Sequence, residues 1–231
     1  MKISIVIPVF NEKNTIIDIL AKVVAADLGG VDKEIIIVDD YSTDGTREIL
    51  KSLENQHKII YHEKNYGKGR ALRTGFAVAS GDIIVIQDAD LEYDPNDFKI
   101  MLAKMAASNA QVVYGSRRLA RSYLKSRHSG HIFALGGITL TWLANLLYGI
   151  KITDEPTCYK MFRADLLKSL DLKCEHFEFC PEVTAKIAKR GVPIYEVPIN
   201  YYPRHKNEGK KINWQDFFEA VWTLLKYKFL K

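Results

Sequence analysis

Short apolar runs alternate along the first half of the chain with stretches in which apolar residues recur every three or four positions. The runs suit strands that are buried on both faces of a sheet, and they lie at residues 3–9, 34–38, 58–61, 83–86 and 111–118. The periodic stretches predict amphipathic helices at residues 15–26, 46–53, 70–79 and 96–107. Strands that alternate with helices at this spacing predict a Rossmann-like α/β fold, in which helices flank a mostly parallel sheet.

The second half of the chain is less regular. A helix is predicted at residues 181–190, and residues 192–202 again have the pattern of a strand. Residues 128–150 form a long apolar segment, and residues 213–231 predict a C-terminal amphipathic helix. We therefore expect a single domain at residues 1–212, which includes the apolar segment, followed by this helix.

Acidic residues occupy alternate positions after the apolar run at residues 83–86: Asp88, Asp90 and Glu92. Side chains alternate in direction along a strand, so Asp88 and Asp90 should project the same way from its carboxyl end. Open α/β sheets bind ligands at that edge, and closely spaced oxygen ligands suit Mg²⁺ or Mn²⁺. The alternative is a solvated acidic turn closed by Asp94-Pro95, but the buried strand in front of it favours a metal site.

The composition is that of a globular protein, since 47% of its 231 residues are hydrophobic and 26% are charged. The net charge of +5 fits an anionic ligand or an anionic lipid surface and is too small to indicate nucleic acid binding. Three cysteines without a C-x-x-C spacing indicate free thiols in a reducing compartment. The chain opens on a strand pattern and has no apolar run of about 18 residues, so neither a secretory leader nor a membrane-spanning helix is expected.

Two apolar segments carry tryptophan near basic residues. The first, residues 131–147, contains Trp142 and follows a basic stretch at residues 121–127, and the second contains Trp214 and Trp222 before a lysine-rich end. The apolar surface of the first segment is too wide for an ordinary surface helix. Such segments either pack on the core or lie in a membrane interface, where aromatic anchors with flanking cations are typical.

Six motifs occur in the order in which one enzyme family has them. They are residues 7–12 (IPVFNE), 38–46 (VDDYSTDGT), 65–69 (NYGKG), 88–91 (DADL), 115–117 (GSR) and the basic loop at 204–210. With them the chain resembles family 2 glycosyltransferases with the GT-A fold, and within that family the dolichol-phosphate mannose synthase-like branch. The resemblance covers nearly the whole chain.

The resemblance implies an inverting, metal-dependent glycosyltransferase that moves a hexose, with mannose from GDP-mannose favoured, from a nucleotide sugar to a polyprenyl or dolichyl phosphate. It implies Mg²⁺ or Mn²⁺ as cofactor and a peripheral position on the cytoplasmic face of a membrane. Two alternatives keep the fold: a UDP-sugar donor carrying glucose or N-acetylhexosamine, or a hydroxyl acceptor on a glycan or glycolipid. A protein that binds nucleotide sugars without turnover is a third alternative, and the intact acidic stretch argues against it.

The resemblance also implies roles for individual residues. Those expected to hold the nucleotide sugar are Pro8, Phe10, Glu12, Val38, Asp40, Asp88, Ala89, Arg204 and Lys210. Those expected to act in catalysis are Asp90, Arg117 and Arg204, and those expected to hold the metal are Asp88, Asp90 and Glu92. The candidates for the acceptor phosphate are Arg117, Arg127 and His131, with His128 as a further possibility. Glu92 departs from the family, in which Gln or Ser often stands at this position, and the departure bears on metal preference.

The two acceptor classes require different chemistry. A lipid phosphate is already ionised near neutral pH, whereas a hydroxyl acceptor needs a general base, for which Asp154 and Glu182 are the candidates. Arg204 and Lys210 would add positive charge where the charge of the leaving diphosphate develops. Lys68, although flanked by glycines, does not fit a phosphate-loop pattern, so we interpret residues 67–69 as a tight turn.

Overall fold

The computed structural model describes residues 1–120, 131–204 and 214–230. The strands are β1 (Lys2–Val9), β2 (Asp32–Asp39), β3 (Lys58–Tyr61), β4 (Ile83–Ile86), β5 (Val112–Ser116), β6 (Lys160–Arg163) and β7 (Ile194–Pro198). They form one sheet in the order β3-β2-β1-β4-β6-β5-β7. In the described part of the chain, β6 runs antiparallel to both of its neighbours, and the other neighbouring pairs of strands are parallel. The prediction of a mostly parallel α/β sheet is therefore confirmed.

Helices cover both faces of this sheet. They are α1 (Ile16–Ala25), α2 (Thr46–Lys51), α3 (Lys68–Val78), α4 (Phe98–Ala107), α5 (His131–Tyr148), α6 (Ala164–Ser169), α7 (Phe179–Lys189) and α8 (Trp214–Phe229). Alternate residues of each buried strand enter two separate cores, so that Val85 of β4 packs in the core of α1 and α4, while Ile84 packs in the core of α3 and α7. The two cores hold the sheet from both faces and thereby fix the ends of its strands.

The helices α5 and α8 pack on each other. Their contact is a small apolar core of Leu140, Ala144, Ala220 and Leu224, and the hydroxyl of Tyr148 donates to the carbonyl oxygen of Leu224 over 2.6 Å. The predicted C-terminal helix is present as α8, whereas the division of the chain at residue 212 stays a prediction. In the described ranges, none of the helices has the length and apolarity needed to cross a bilayer.

The strands β1, β2, β4 and β5 end at the same edge of the sheet, because they run in the same direction. Asn11, Tyr41 and Leu91 follow three of these strand ends with left-handed φ angles of 52°, 69° and 62°. Residues other than glycine rarely adopt this conformation, and such strained positions cluster at functional sites. The carboxyl edge is therefore the place to look for chemistry.

Candidate active site

A cavity of about 750 Å³ opens at the carboxyl edge of the sheet. It begins at the ends of β1, β2 and β4 and extends to the facing surfaces of α5 and α8. Ten of the residues predicted for the site line it: Pro8, Phe10, Glu12, Asp40, Asp88, Ala89, Asp90, Glu92, Arg117 and Arg204. The fold thus gathers, around one space, residues from distant parts of the chain.

Asp88, which follows β4, is paired with a lysine of the neighbouring helix. The Nζ atom of Lys68, in the first turn of α3, lies 2.5 Å from Oδ1 of Asp88 and 3.0 Å from Sγ of Cys158. Burial alone would lower the pKa of Lys68, but the carboxylate of Asp88 raises it above its ordinary value. The lysine therefore stays charged, and the cavity holds a fixed ion pair at the end of β4.

Arg204 extends into the same cavity and joins three acidic residues. Its guanidinium lies 2.7 Å from Oε2 of Glu12 and 3.9 Å from Oδ2 of Asp90, and its Nε donates to the carbonyl oxygen of Asp90 over 2.9 Å. Glu92 accepts from the backbone N–H of Arg204 at 2.9 Å and from the hydroxyl of Tyr201 at 3.2 Å. The acidic residues after β4 thus fix the position of a cation that the sequence places more than a hundred residues away.

The segment that leads to Arg204 is anchored beside the acidic stretch. Asp97 accepts from the backbone N–H of Asn200 at 2.7 Å and from its side-chain amide at 3.0 Å. Tyr93 and Tyr201 pair as a β-bridge, and their ring centroids lie 5.3 Å apart. Burial raises the pKa of Asp97 to about 6, although the hydrogen bonds from Asn200 oppose this shift.

The predicted metal site consists of oxygen ligands, and both Asp88 and Asp90 line the cavity. In the part of the chain that the structure describes, no three His, Cys, Asp or Glu side chains converge closely enough to enclose an ion. A Mg²⁺ ion at a nucleotide site is commonly held by one or two carboxylates together with substrate phosphates, so the two aspartates fit such an ion. Glu92 instead contacts Tyr201 and Arg204, and its role as a third ligand stays a prediction.

Asp40 lines the cavity, but its carboxylate also organises the loop before α3. The Nδ1 atom of His62 lies 2.6 Å from Oδ1 of Asp40, and the backbone N–H groups of Tyr66 and Gly67 donate to the two oxygens at 3.0 and 2.7 Å. The predicted role of Asp40 in nucleotide binding therefore includes an indirect part, which is to hold this loop in place.

Arg117, at the end of β5, forms a bidentate pair with Asp154. Its Nε and one terminal nitrogen each donate over 2.7 Å to a different carboxylate oxygen. Burial would raise the pKa of Asp154, but Arg117 lowers it below its ordinary value. A fully buried carboxylate that is paired in this way is poorly suited to accept a proton, so the structure argues against Asp154 as a general base.

Arg118 lines the cavity next to Arg117 and is held differently. It donates to the carbonyl oxygen of Thr153 over 3.0 Å, and within the described ranges no carboxylate lies within ion-pair distance of it. A Cβ placed on Gly137 of α5 would lie 3.3 Å from its guanidinium. Arg118 therefore presents its charge where the apolar helix α5 borders the cavity.

Two predicted residues have buried positions away from the cavity. Val38 lies in the core under α3 with a fully buried side chain, so any contact with a nucleotide would come from its backbone, and its role in nucleotide binding stays a prediction. Glu182, the second candidate base, is also fully buried and accepts from Lys186, Tyr227 and two backbone N–H groups. The prediction for Arg127 falls outside the described residues. The same holds for Lys210, for His128 and for the side chain of His131 at the start of α5.

The sequence pattern alone missed Lys68, Arg118 and His176 as lining residues. The helix α3 begins at Lys68 rather than at residue 70, which turns a presumed loop lysine into the partner of Asp88. The glycines beside Lys68 were the available signal, since they permit close backbone approach. Nothing in the sequence around His176 signals its position next to Gly67.

Residues 4–171 match the model of Glycosyl transferase family 2, and the chain belongs to this family. The predicted family and the predicted GT-A fold are confirmed. Among solved structures, the chain is similar to glucosyl-3-phosphoglycerate synthase from Mycobacterium tuberculosis in complex with Mn²⁺, UDP and phosphoglyceric acid. The TM-score is 0.74 at 22% identity, over 100% of this chain and 79% of that one. At this identity the likeness shows the shared fold.

Two curated relatives act on polyprenyl-type phosphates according to their names. The chain is 26% identical over 219 residues to the dodecaprenyl-phosphate galacturonate synthase of Rhizobium johnstonii, which covers 91% of this chain and 62% of that protein. It is 27% identical over 240 residues to the dolichol-phosphate mannosyltransferase of Pyrococcus furiosus, over 99% of this chain and 65% of that protein. The chain thus spans less than two thirds of the length of both relatives.

Proposed function

We propose that the chain transfers a hexose from a nucleotide sugar to a polyprenyl phosphate at the surface of a membrane. One observation carries the proposal: a single cavity runs from the carboxylates after β4, past Arg117 and Arg118, to the apolar surfaces of α5 and α8. A lipid phosphate needs this arrangement, because its head is anionic and its chain is apolar. The names of the two curated relatives agree with it.

The donor end of the cavity is suited to a nucleoside diphosphate. Pro8 and Phe10 offer apolar contact beside Asp40, and Lys68 and Arg204 supply positive charge near Asp88 and Asp90. A bound Mg²⁺ or Mn²⁺ would act as a Lewis acid toward the leaving diphosphate. The chain's own part is to hold the diphosphate between the carboxylates and the fixed cations, which stabilise the charge that develops as the sugar departs.

The acceptor end needs no proton acceptor under this proposal. A phosphate monoester is ionised near neutral pH and can attack the anomeric carbon directly, with inversion of configuration. Asp154 forms an ion pair with Arg117, and Glu182 forms one with Lys186. These pairings agree with a reaction that needs no general base. Arg118 would contact the acceptor phosphate, because it borders the cavity beside α5.

We further propose that α5 and α8 place the cavity against the cytoplasmic face of a membrane. Both helices carry exposed apolar stripes at helical spacing, formed by Leu135, Ile138, Trp142 and Leu146 and by Trp214, Phe218, Trp222 and Phe229. Leu135, Trp214 and Phe218 of these stripes also line the cavity. All eight side chains are at least half exposed, from 50% for Ile138 to 73% for Phe229. An outward apolar face of this size, with Lys226 and Lys228 nearby, is typical of an interfacial helix pair. The three free cysteines fit a reducing compartment.

The identity of the sugar is the finer part of the proposal. Mannose from GDP-mannose is favoured, on the resemblance to the dolichol-phosphate mannosyltransferase. A UDP-sugar donor is the alternative, since the similar solved structure contains UDP. Calorimetric titration with GDP-mannose, UDP-glucose and UDP-N-acetylglucosamine, each with and without Mg²⁺, separates them. We expect tight binding of one nucleotide class and weaker binding after EDTA, and equal binding of all donors in EDTA would contradict a metal-assisted donor site.

Arg118→Ala tests the acceptor end. We expect the KM for polyprenyl phosphate to rise by about 10-fold to 100-fold while the Kd for the nucleotide sugar stays within twofold, since a charge-assisted contact to the phosphate is lost. Arg163→Ala is the matched control, because Arg163 is an exposed arginine at the end of β6, where it pairs with Ile83 at the opposite edge of the sheet. An unchanged KM in Arg118→Ala would remove this residue from the acceptor site.

A further inference from the structure

The loop that supplies Lys68 is held from behind by a short segment of the second half of the chain, residues 173–178, here called the clamp loop. The backbone N–H of Gly69 donates to the carbonyl oxygen of His176 at 3.2 Å, and that of Arg70 donates to the carbonyl oxygen of Glu175 at 3.0 Å. A Cβ on Gly69 would lie 2.7 Å from the carbonyl oxygen of Cys174. The clamp loop therefore touches the backbone of the first turn of α3 directly, at the point where Lys68 faces Asp88.

The clamp loop has its own support in Glu182 of α7. The carboxylate of Glu182 accepts from the backbone N–H groups of Lys173 and Cys174, each at 2.8 Å. Glu178 accepts from the next two backbone N–H groups, at 3.1 Å each. Four consecutive N–H groups of an irregular segment are thus satisfied by two carboxylates, which gives this segment a defined shape.

Glu182 is also bound by α8. The hydroxyl of Tyr227 donates to Oε1 of Glu182 at 2.7 Å, and Nζ of Lys186 donates to the same oxygen at 2.6 Å. Burial would raise the pKa of Glu182, but Lys186 and the other donors lower it below its ordinary value, so the carboxylate is ionised and able to serve all of them. The α8 helix that bears this tyrosine also lines the far end of the cavity, through Trp214, Phe217, Phe218 and Ala220.

We propose that Tyr227 and Glu182 are positioning residues, which connect α8 through the clamp loop to the loop of residues 66–70 that forms the donor end of the cavity. This inference builds on the proposed function, because it assigns these contacts to donor binding. Removing either residue should loosen the backbone of residues 66–70 and 173–176 and weaken nucleotide binding. It should leave the charged contact for the acceptor phosphate, which Arg117 and Arg118 supply after β5, unchanged.

The test compares three conservative variants of the full chain. Glu182→Gln removes the charge, Tyr227→Phe removes one hydroxyl, and Tyr148→Phe is the matched control. The hydroxyl of Tyr148 also reaches a partner on α8, the carbonyl oxygen of Leu224 at 2.6 Å, but it has no contact with the clamp loop. Circular dichroism and thermal unfolding establish first that each variant is folded.

Amide hydrogen exchange is the first readout and needs no ligand. We expect faster exchange at residues 66–70 and 173–176 in Glu182→Gln and, to a smaller extent, in Tyr227→Phe, with no change at these residues in Tyr148→Phe. Unchanged exchange in Glu182→Gln, or an equal increase in Tyr148→Phe, would overturn the inference. The second result would mean that the variants act by loosening α8 as a whole.

Nucleotide binding in the presence of Mg²⁺ is the second readout. The Kd for the nucleoside diphosphate should rise about 3-fold to 10-fold in Tyr227→Phe, which corresponds to one lost hydrogen bond, and by more in Glu182→Gln. The KM for the lipid phosphate should stay within twofold of the wild type. If the wild type binds nucleotide and neither variant loses affinity, the inference is overturned and the proposed function stands. If the wild type binds no nucleotide, the proposed function is overturned. Amide hydrogen exchange would then still decide whether α8 is coupled to residues 66–70.

Discussion

At the scale of single residues, charge balance at the end of β4 rests on the ion pair of Lys68 and Asp88. Their side chains are only 18% and 10% exposed, so neither charge can rely on water if the other is removed. Nearby, Glu12 and Arg204 pair in the same cavity at 2.7 Å. The donor end is therefore a set of compensated charges, in which the loss of one partner should cost more than the loss of both.

We expect Lys68→Met to lower the free energy of unfolding by about 3 kcal/mol or more, because it leaves a buried carboxylate without its counter-charge. The double variant Lys68→Met/Asp88→Asn should recover most of that loss. The matched control is the ion pair of Lys99 and Asp27, in which Nζ lies 2.7 Å from Oδ2 and the side chains are 62% and 74% exposed. Lys99→Met should leave the free energy of unfolding in urea titrations nearly unchanged, because an exposed ion pair is screened by water. If Lys68→Met and Lys99→Met cost the same, the Lys68 pair is not buried in solution.

Asp97 gives a pH dependence of opposite sign to that of most acidic residues. Its pKa is raised to about 6 in the folded chain, above the usual value of 3.8, chiefly by burial. Between these two values the native state binds more protons than the unfolded state, so stability falls as the pH rises through this window. The unfolding free energy of the wild type minus that of Asp97→Asn should therefore decrease from about pH 4 to about pH 6 and stay level above about pH 7. A difference that rises with pH across the window would contradict the raised pKa.

At the scale of helices and strands, periodicity predicted what depends on local pattern. The strands β1, β2, β3 and β4 lie where the apolar runs predicted them, because runs buried on both faces have few alternatives. The antiparallel insertion of β6 between β4 and β5 depends on long-range pairing and left no mark on the local pattern. For the same reason the acidic stretch could be found from its sequence, whereas the partners that fix it, Lys68 and Arg204, could be placed only by the fold.

The helix pair α5 and α8 is an element whose local pattern left two interpretations open, and the structure contains features of both. One face of each helix packs in the small core of Leu140 and Leu224, while the opposite faces expose Trp142 and Trp222, at 61% and 62%. Periodicity shows that a helix is apolar over a wide arc, but it does not show which part of the arc a second helix covers.

We expect Trp142→Ser and Trp222→Ser each to weaken binding to vesicles that contain anionic lipid by about 5-fold to 30-fold, since each removes a large apolar contact from the interface. Ile17→Ser on α1, where Ile17 is 48% exposed, is the control for an apolar side chain outside the helix pair. Co-sedimentation with vesicles measures all three variants. If Ile17→Ser weakens binding as much as the tryptophan variants, the membrane contact does not lie on α5 and α8.

At the scale of the whole molecule, the sheet edge and the helix pair form the two ends of one cavity. The end of the cavity at the sheet edge is polar and charged, the end at α5 and α8 is apolar, and Arg117 and Arg118 lie between them. The proposed function uses this arrangement to let a chain with a net charge of only +5 address both an anionic nucleotide and a lipid surface. It also requires that the two substrates meet near the arginines, with the lipid chain leaving along α5 and α8.

The most direct test of this arrangement supplies labelled nucleotide sugar with two lipids that differ only in the head, a polyprenyl phosphate and the corresponding polyprenol, in the presence of Mg²⁺. We expect labelled sugar to enter the organic phase with the phosphate lipid alone, and mild acid to release it, because the product is a glycosyl phosphate. Asp154→Asn, which keeps the side-chain volume, should retain a slower version of this reaction, whereas loss of a required general base would cost about 10²-fold to 10⁴-fold. Transfer to the polyprenol, or a product that is stable to mild acid, would contradict the phosphate acceptor and indicate a hydroxyl instead.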